Sequence, residues 1–250
     1  MKELIKKRIP KWILLLLSLL LILVPVYMYF SHDVGVLTKM YPHLKIEKGE
    51  VSEIEFKIQK PKSWTNLEAI SPYAKGAIVL SEDWAFFDHD GVDLEQVKVA
   101  LSEMVDGERF RGASTITQQM VKNIYLSHYP TLWRKFHEII LSQKVEKELS
   151  KKRILEIYLN CIEYGPGLFG IRSAAQHYFK KSPSDLTAKE SAFLAMLLPS
   201  PKKYYVSFKK RELTKFAKSR IQAILKKMKM GKVISQEQLE SELATPLSWE

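Results

Sequence analysis

Two adjacent carboxylates, Glu82 and Asp83, stand where an apolar helical pattern ends and Gly91 allows the backbone to turn. The same short stretch holds Phe86 and His89. A hydroxyl is a poor nucleophile near neutral pH, so it needs a carboxylate within hydrogen-bond reach to take its proton. Glu82 is therefore the first candidate for a positioned general base. The alternative is that both carboxylates are solvated or form ordinary ion pairs.

A second polar stretch begins with Gly112 in a loop and becomes helical near Thr115. Ser114 and Thr115 are good N-cap residues, and a helix N-terminus with hydroxyls can bind an anion. Side chains with amides and a positive charge follow on about one and a half turns: Gln118, Gln119, Lys122 and Asn123. Any one of them alone could be an ordinary solvent-facing polar residue.

A third stretch places Glu138 in a helix, with Arg134 one turn before it and Lys135 between them. The plainest interpretation is an i, i+4 ion pair from Arg134 to Glu138, worth about 0.3–0.5 kcal/mol if it is exposed. A role for Glu138 in a cleft is compatible with that pair.

In this order and at these separations, the three stretches, with Lys152–Asn160 after them, resemble the peptidoglycan glycosyltransferase family. The resemblance runs from about Ala77 to Pro201 and is carried by Glu-Asp-x-x-Phe-x-x-His-x-Gly followed by Gly-x-Ser-Thr-Ile-Thr-Gln-Gln. It implies a mainly α fold, a lysozyme-like helical domain with a short β element. Because the sequence stops near where a transpeptidase domain would begin, we expect a monofunctional member.

The resemblance also implies roles for individual residues. Glu82 and Glu138 would be catalytic, with Glu82 taking the proton of a sugar hydroxyl and Glu138 organising the pyrophosphate site. The substrate-binding residues that it implies are Asp83, Phe86, His89, Gly91, Gly112, Ser114, Thr115, Gln118, Gln119, Lys122, Asn123, Arg134 and Lys135. A divalent cation, Mg²⁺ or Mn²⁺, is implied by the resemblance alone. Where family members often carry an arginine, no basic residue lies between Lys122 and Arg134.

The implied reaction transfers a lipid-pyrophosphate-linked glycan onto the GlcNAc 4-hydroxyl of lipid II, with inversion to a β-1,4 bond. Lipid II, lipid-linked glycan strands and the membrane are the implied partners, with other cell-wall synthesis and division proteins possible. A lysozyme-like glycan hydrolase would also use a glutamate in a helical cleft. A catalytically idle membrane-tethered scaffold is the alternative from a different class.

An uncharged stretch from Trp12 to Phe30 predicts a transmembrane helix, because nineteen residues at about 1.5 Å each nearly match the ~30 Å bilayer core. A cleaved signal peptide is less well matched, since its apolar region is usually about 7–15 residues long. Basic residues precede the stretch, and residues 31–37 contain none, so the positive-inside rule places the N-terminus in the cytoplasm. We therefore expect the catalytic domain outside the plasma (inner) membrane, away from nucleic acid.

The chain divides by pattern into a basic cytoplasmic segment (1–11), the transmembrane helix (12–30), a linker with a short strand (31–62), a glycosyltransferase domain (63–232) and an acidic segment (233–250). Alternation of Ile54, Phe56 and Ile58 predicts the strand. Helical periodicity predicts helices near 66–80, 92–106, 115–127, 131–149, 151–160, 170–179, 187–198 and 209–230. Residues 202–232 hold twelve basic residues and one acidic one. The last helix is predicted to pack its apolar side on the domain, and its charged side could rest on anionic lipid.

Overall fold

The computed structural model describes residues 10–105, 114–126 and 131–250, except the side chains of Leu101, Met104 and Val105. Its α-helices are α1 Lys11–Phe30, α2 Pro72–Glu82, α3 Leu94–Val105, α4 Ile116–Tyr125, α5 Leu132–Glu148, α6 Lys151–Cys161, α7 Ile171–Phe179, α8 Ala188–Leu197, α9 Pro201–Tyr204, α10 Val206–Lys210, α11 Lys215–Met230 and α12 Gln236–Ala244. The strands are β1 Tyr41–Glu47, β2 Glu50–Lys57, β3 Glu163–Gly165 and β4 Leu168–Phe169. The predicted mainly α fold is confirmed.

Helix α8 is the centre of the core. Its residues from Ser191 to Leu197 are all buried, and α2, α11 and α12 pack around it. A helix that is covered on every side needs apolar residues all round, which explains why this segment shows no polar face. Fully burying one large side chain such as Phe193 contributes roughly 1.5–3 kcal/mol.

Two predicted helices differ from those observed. The helix predicted from residue 66 begins at Pro72, because the residue before a proline is held extended and Ser71 caps the new helix. The predicted helix 209–230 is wrong as one element. Arg211 takes a left-handed conformation (φ 55°) that ends α10, and Thr214 then caps α11 by accepting the N–H of Ala217.

The β element is a hairpin rather than a single strand. β1 pairs antiparallel with β2, placing Leu44 opposite Ile54 and Pro42 opposite Phe56. The alternation of Ile54 and Phe56 is confirmed, whereas Ile58 lies beyond the strand and is exposed. β1 was missed although Leu44 and Ile46 alternate with polar residues, because the run is short and contains Pro42, a residue that usually counts against a strand.

The acidic segment 233–250 packs on the helical body. Ile234, Leu239, Leu247 and Trp249 are buried in the same core as α8. The carboxylate of Glu242 accepts backbone N–H groups at the N-terminus of α8, where the helix dipole favours negative charge. The negative charge of Glu242 therefore stabilises α8.

Helix α1 is long and apolar enough to cross a membrane, and nearly all of it lies outside the core. Its last turns contact the helical domain, where Met28 is buried against α5. Nε2 of His137 lies 2.8 Å from Oγ of Ser31, and Nζ of Lys144 donates to the carbonyl of His32 over 2.7 Å. The end of α1 is thus fastened to α5, the helix that also carries Glu138.

Candidate active site

Glu82 is the last residue of α2, and Asp83 is its C-cap. Ala74, Ala77 and Ile78 bury one side of the helix in the core, which fixes the direction in which its end points. Beyond Asp83 the chain leaves the helix, as the sequence pattern predicted. Glu82 therefore sits at a rigid helix end beside a loop.

Asp83 ties that loop to the start of α4. Its Oδ1 accepts a hydrogen bond from Nε2 of His89 at 2.9 Å, and its Oδ2 accepts the N–H of Ile116 at 2.8 Å. Oγ1 of Thr115 donates to the carbonyl of Gly91 over 2.7 Å. Both carboxylate oxygens of Asp83 are thus used within the protein, and the side chain is buried.

Phe86 and Gly91 also fix the conformation of the loop that follows Asp83. Phe86 is fully buried, with Nζ of Lys151 4.6 Å from its ring centre. Gly91 has φ +83°, and a Cβ there would lie 3.0 Å from the carbonyl oxygen of Ser142. Only glycine fits this turn without strain. These two residues, which the resemblance assigns to substrate binding, shape the loop in this structure.

The carboxylate of Glu82 is held from α4. Nε2 of Gln119 donates to Oε2 of Glu82 over 3.0 Å, and the hydroxyl of Tyr158 donates to Oε1 of Gln119 over 2.9 Å. Burial raises the pKa of Glu82, against the lowering effects of the Gln119 bond and of the charges on Arg220 and Lys227. A raised pKa is what a general base working near neutral pH requires.

The link from Tyr158 to Glu82 through Gln119 was not predicted from the sequence. No local signal could have revealed it, because Tyr158 and Gln119 are 39 residues apart and meet only where α6 packs on α4.

The start of α4 is a complete capping box. Thr115 accepts the N–H of Gln118, and the side-chain oxygen of Gln118 accepts the N–H of Thr115. Nζ of Lys135 reaches the same place, 2.9 Å from Oγ of Ser114 and 3.3 Å from Oε1 of Gln118. Of the two predicted N-cap candidates, Ser114 and Thr115, Thr115 caps the helix. Thr115 and Gln118 are both buried, which favours a role in shaping the site.

Glu138 lies buried between two cations. Its Oε2 accepts from Nη1 of Arg134 at 2.8 Å, and its Oε1 accepts from Nζ of Lys135. The predicted i, i+4 ion pair is therefore confirmed, but it is not an exposed one, since the Glu138 side chain is only 3% accessible. By pairing with both, Glu138 keeps the cations of Arg134 and Lys135 beside the N-terminus of α4.

Lys122 lies between the two glutamates. Burial lowers its pKa, and the carboxylates of both Glu138 and Glu82 act in the opposite direction. No hydrogen bond joins its ammonium group to the described part of the chain. Lys122 is thus a partly buried cation with no hydrogen-bond partner among the described residues, and it could bind an anion.

A cavity of about 510 Å³ opens next to this group. It is lined by Leu44, Glu50, Val51, Gln119, Lys122, Asn123, Cys161, Ile162, Glu163, Phe169, Leu198, Pro199, Ser200, Pro201 and Lys202. Gln119 belongs both to this lining and to the hydrogen bond with Glu82, so the cavity adjoins the candidate base. Gly112 and the segment 127–130, part of the stretch that lacks a basic residue, lie outside the described residues.

The residues that the structure describes do not form a site that could hold a divalent cation by themselves. Within the described ranges, no three His, Cys, Asp or Glu side chains come together as ligands. Glu138, the carboxylate to which the resemblance gives a role at the pyrophosphate site, is already paired with Arg134 and Lys135. A hard cation would need several oxygen ligands from elsewhere, and substrate phosphates are the obvious source.

The fold and the site agree with the comparison to known families. The Transglycosylase family matches residues 48–229, which is well over half of the chain. The chain belongs to this family.

Two curated relatives are named biosynthetic peptidoglycan transglycosylase. The one from Brucella suis biovar 1 is 46% identical over 140 residues, which cover 56% of this chain and 62% of the relative. The one from Bordetella avium is 38% identical over 192 residues, covering 75% of this chain and 78% of the relative. The match to the Brucella protein thus spans less than two thirds of its length.

A crystal structure of penicillin-binding protein 1A from Haemophilus influenzae aligns with 39% of this chain and 14% of that chain, at 35% identity and a TM-score of 0.35. The overlap is too short to support a comparison of the two folds.

Proposed function

We propose that this protein polymerises peptidoglycan glycan strands from lipid II, with Glu82 as the general base. The observation that supports this most directly is the state of the Glu82 carboxylate. Gln119 holds Oε2, while Oε1 accepts no hydrogen bond from the described residues. One oxygen is therefore fixed and the other is free to take a proton.

In the proposed reaction, the 4-hydroxyl oxygen of the GlcNAc of lipid II attacks the anomeric carbon of the growing chain. The free carboxylate oxygen of Glu82 accepts the proton of that hydroxyl as the new bond forms. The bond from that carbon to the lipid pyrophosphate breaks at the same time. A single displacement inverts the donor and gives a β-1,4 bond, by analogy with inverting glycosidases. The raised pKa of Glu82 makes it a better base than an ordinary glutamate.

The leaving pyrophosphate needs neutralisation of its charge more than it needs a proton. Lys122, Arg134 and Lys135 supply cations around the N-terminus of α4, whose dipole also favours an anion. Glu138 acts as the positioning residue for Arg134 and Lys135, which its buried carboxylate holds in place. A divalent cation, if used, would travel with the substrate phosphates, and none of these steps depends on it.

The membrane setting is part of the same proposal. Helix α1 crosses the plasma (inner) membrane with its N-terminus in the cytoplasm, so the site faces the side where lipid-linked glycan is assembled. Lipid II and lipid-linked strands are then the partners, with other cell-wall synthesis and division proteins as candidates. Fastening of the anchor to α5 supports this placement, because it keeps the site near the bilayer surface.

The direct test incubates the purified full-length protein with labelled lipid II in vesicles, followed by muramidase digestion of the product. We expect a polymer that the muramidase cuts to disaccharide units, and loss of that polymer with Glu82→Gln. Glu68→Gln, at an exposed glutamate in the turn before α2, is the matched control and should leave the yield unchanged. No polymer from the wild type would favour the scaffold, and release of fragments from a preformed polymer would favour the hydrolase.

A further inference from the structure

The cavity beside Glu82 has a second wall that comes from outside the family motifs. One wall is α4, with Gln119, Lys122 and Asn123. Other lining residues come from the β1–β2 hairpin and from the start of α9 with the residue before it: Leu44, Glu50, Val51, Ser200, Pro201 and Lys202. A substrate in this cavity would therefore touch the hairpin as well as the catalytic helix.

Two contacts hold the tip of the hairpin over the cavity. Gly49 (φ +79°) meets Gly167 (φ +68°) backbone to backbone, so closely that a Cβ on Gly167 would lie 2.9 Å from Cα of Gly49. Glu50 forms an ion pair with Lys202 across the gap between the hairpin and α9. The close backbone contact with Gly167 thus fixes the tip of the hairpin, and the exposed ion pair with Lys202 adds a weaker contact.

The lining has the chemistry of a sugar-binding site. Leu44, Phe169 and Leu198 supply apolar surface of the kind that covers the face of a pyranose ring. The amides of Gln119 and Asn123 can bind hydroxyl or acetamido groups. A volume of about 510 Å³ lies within the usual range for small-ligand sites.

Lys202 places a positive charge at the rim of the cavity. The side chain of Lys202 is 51% accessible, and so its ammonium group reaches both Glu50 and solvent. Glu50, at 61% accessible, holds it only at the surface, where an ion pair is weak and easily exchanged for another anion. A carboxylate attached to a bound sugar could therefore replace Glu50 as the partner of Lys202.

We propose that this cavity is a subsite for an N-acetylated sugar that bears a peptide carboxylate, and that Lys202 binds that carboxylate at the rim. The inference rests on the proposed function, because it makes the sugar–peptide part of the lipid-linked substrate the ligand. It adds the hairpin, Lys202 and Glu50 as determinants of specificity that the motifs do not contain.

Lys202→Gln is the first test, with Lys203→Gln as its control. Lys203 is the next residue, is exposed and does not line the cavity, so both variants lose one charge from the same helix. We expect Lys202→Gln to raise KM for lipid II by about three- to fivefold, the effect of an exposed ion pair, with kcat nearly unchanged. Equal KM values for the two variants would overturn the proposal.

Glu50→Gln separates binding from a purely structural role. It removes the ion pair between the hairpin and α9 but leaves the positive charge of Lys202 at the rim. If Lys202 only fastens the hairpin, Glu50→Gln raises KM as much as Lys202→Gln does, and the proposal is wrong. If Lys202 binds a carboxylate, Glu50→Gln leaves KM at or below the wild-type value.

A substrate analogue identifies the anion. With the wild-type enzyme, lipid II whose stem-peptide carboxylates are amidated should have the raised KM that Lys202→Gln shows for natural lipid II. With Lys202→Gln, amidation should raise KM no further. Amidating only the lipid-linked donor, or only the lipid II acceptor, shows which of the two occupies the cavity. If the wild type binds the amidated and natural substrates equally in both arms, Lys202 does not recognise that group. Failure of the proposed function itself would appear differently, as the absence of polymer from the wild type.

Discussion

Nε2 of Gln119 lies 3.0 Å from Oε2 of Glu82 and joins the N-terminal half of α4 to the end of α2. The amide can present its nitrogen to the carboxylate because the hydroxyl of Tyr158 donates to its oxygen. A tyrosine hydroxyl therefore fixes the orientation of an amide, and the amide fixes the candidate base.

Tyr158→Phe tests this relay. The variant keeps the ring but leaves the amide of Gln119 free to rotate away, so we expect turnover to fall several-fold and stability to fall by about 1 kcal/mol. Polymerisation rate and thermal midpoint are the measurements. Tyr164→Phe is the control, because Tyr164 is equally buried and its hydroxyl makes no hydrogen bond with the described residues. Equal turnover in both variants would show that the relay has no part in catalysis.

Glu82→Gln keeps the shape and the bond to Gln119 but cannot accept a proton. We expect turnover to fall by about 10²–10⁴-fold or more, with substrate binding largely retained. Because burial raises the pKa of Glu82, the wild-type rate should fall on the acid side at a pH above the ordinary value for a glutamate. A rate that is flat down to the ordinary glutamate pKa would remove Glu82 as the base.

The raised pKa of Glu82 also predicts that Glu82→Gln changes the stability of the protein. A carboxyl group whose pKa is raised by folding binds protons more readily in the folded state, so at neutral pH its charge opposes folding. Glu82→Gln should therefore be more stable than the wild type near pH 7. The difference should shrink as the pH falls through the raised pKa, because the wild-type carboxyl then becomes neutral as well. Thermal midpoints of both proteins across this pH range test the sign.

Glu138→Gln leaves Arg134 and Lys135 without their shared carboxylate. We expect a stability loss of about 1–3 kcal/mol and a lower turnover, since the two cations are no longer held beside the phosphate site. The activity of the variant should also depend more strongly on Mg²⁺ or Mn²⁺ concentration. Glu148→Gln, at an exposed position on the same helix, is the control. A cation response matching that of the wild type would leave Glu138 with a structural role alone.

The fastened anchor predicts how truncation acts. A fragment beginning at Ser31 loses Met28, whose burial is worth roughly 1.5–3 kcal/mol, whereas a fragment beginning at Val26 retains it. We expect the shorter fragment to fold but to melt at a lower temperature. Both should turn over lipid II in vesicles more slowly than the full chain, because the anchor raises the local concentration of enzyme at the substrate. Identical melting of the two fragments would show that Met28 contributes no stability.

The basic residues of α10 and α11 remain exposed although the apolar side of α11 is buried, as predicted. Charge reversal at Lys209, Lys210, Lys215 and Lys218 should weaken binding of the full-length protein to anionic vesicles at low salt, with little change in thermal midpoint. Co-sedimentation with anionic and neutral vesicles measures the effect. Unchanged binding at low salt would exclude a lipid-facing role for this surface.

Much of this protein could be predicted from the sequence because the relevant forces act over a few residues. Thr115 and Gln118 form a capping box three positions apart, and Arg134 and Glu138 meet across one turn of helix. The apolar stretch before Ser31 is defined by composition alone. Short-range hydrogen bonding, helical periodicity and charge composition are sufficient for each of these.

Other features were decided only by packing between distant segments. Gln119 meets Glu82 because the folded chain brings α4 next to the end of α2, although the two residues are 37 positions apart. The hairpin lines the cavity because Gly49 meets Gly167, a contact that neither local sequence encodes. Burial then sets the pKa of Glu82, since the cost of removing a charge from water depends on all the segments that surround it. The sequence could therefore nominate the two glutamates, but only the tertiary structure could show what holds each one and which face of it remains open.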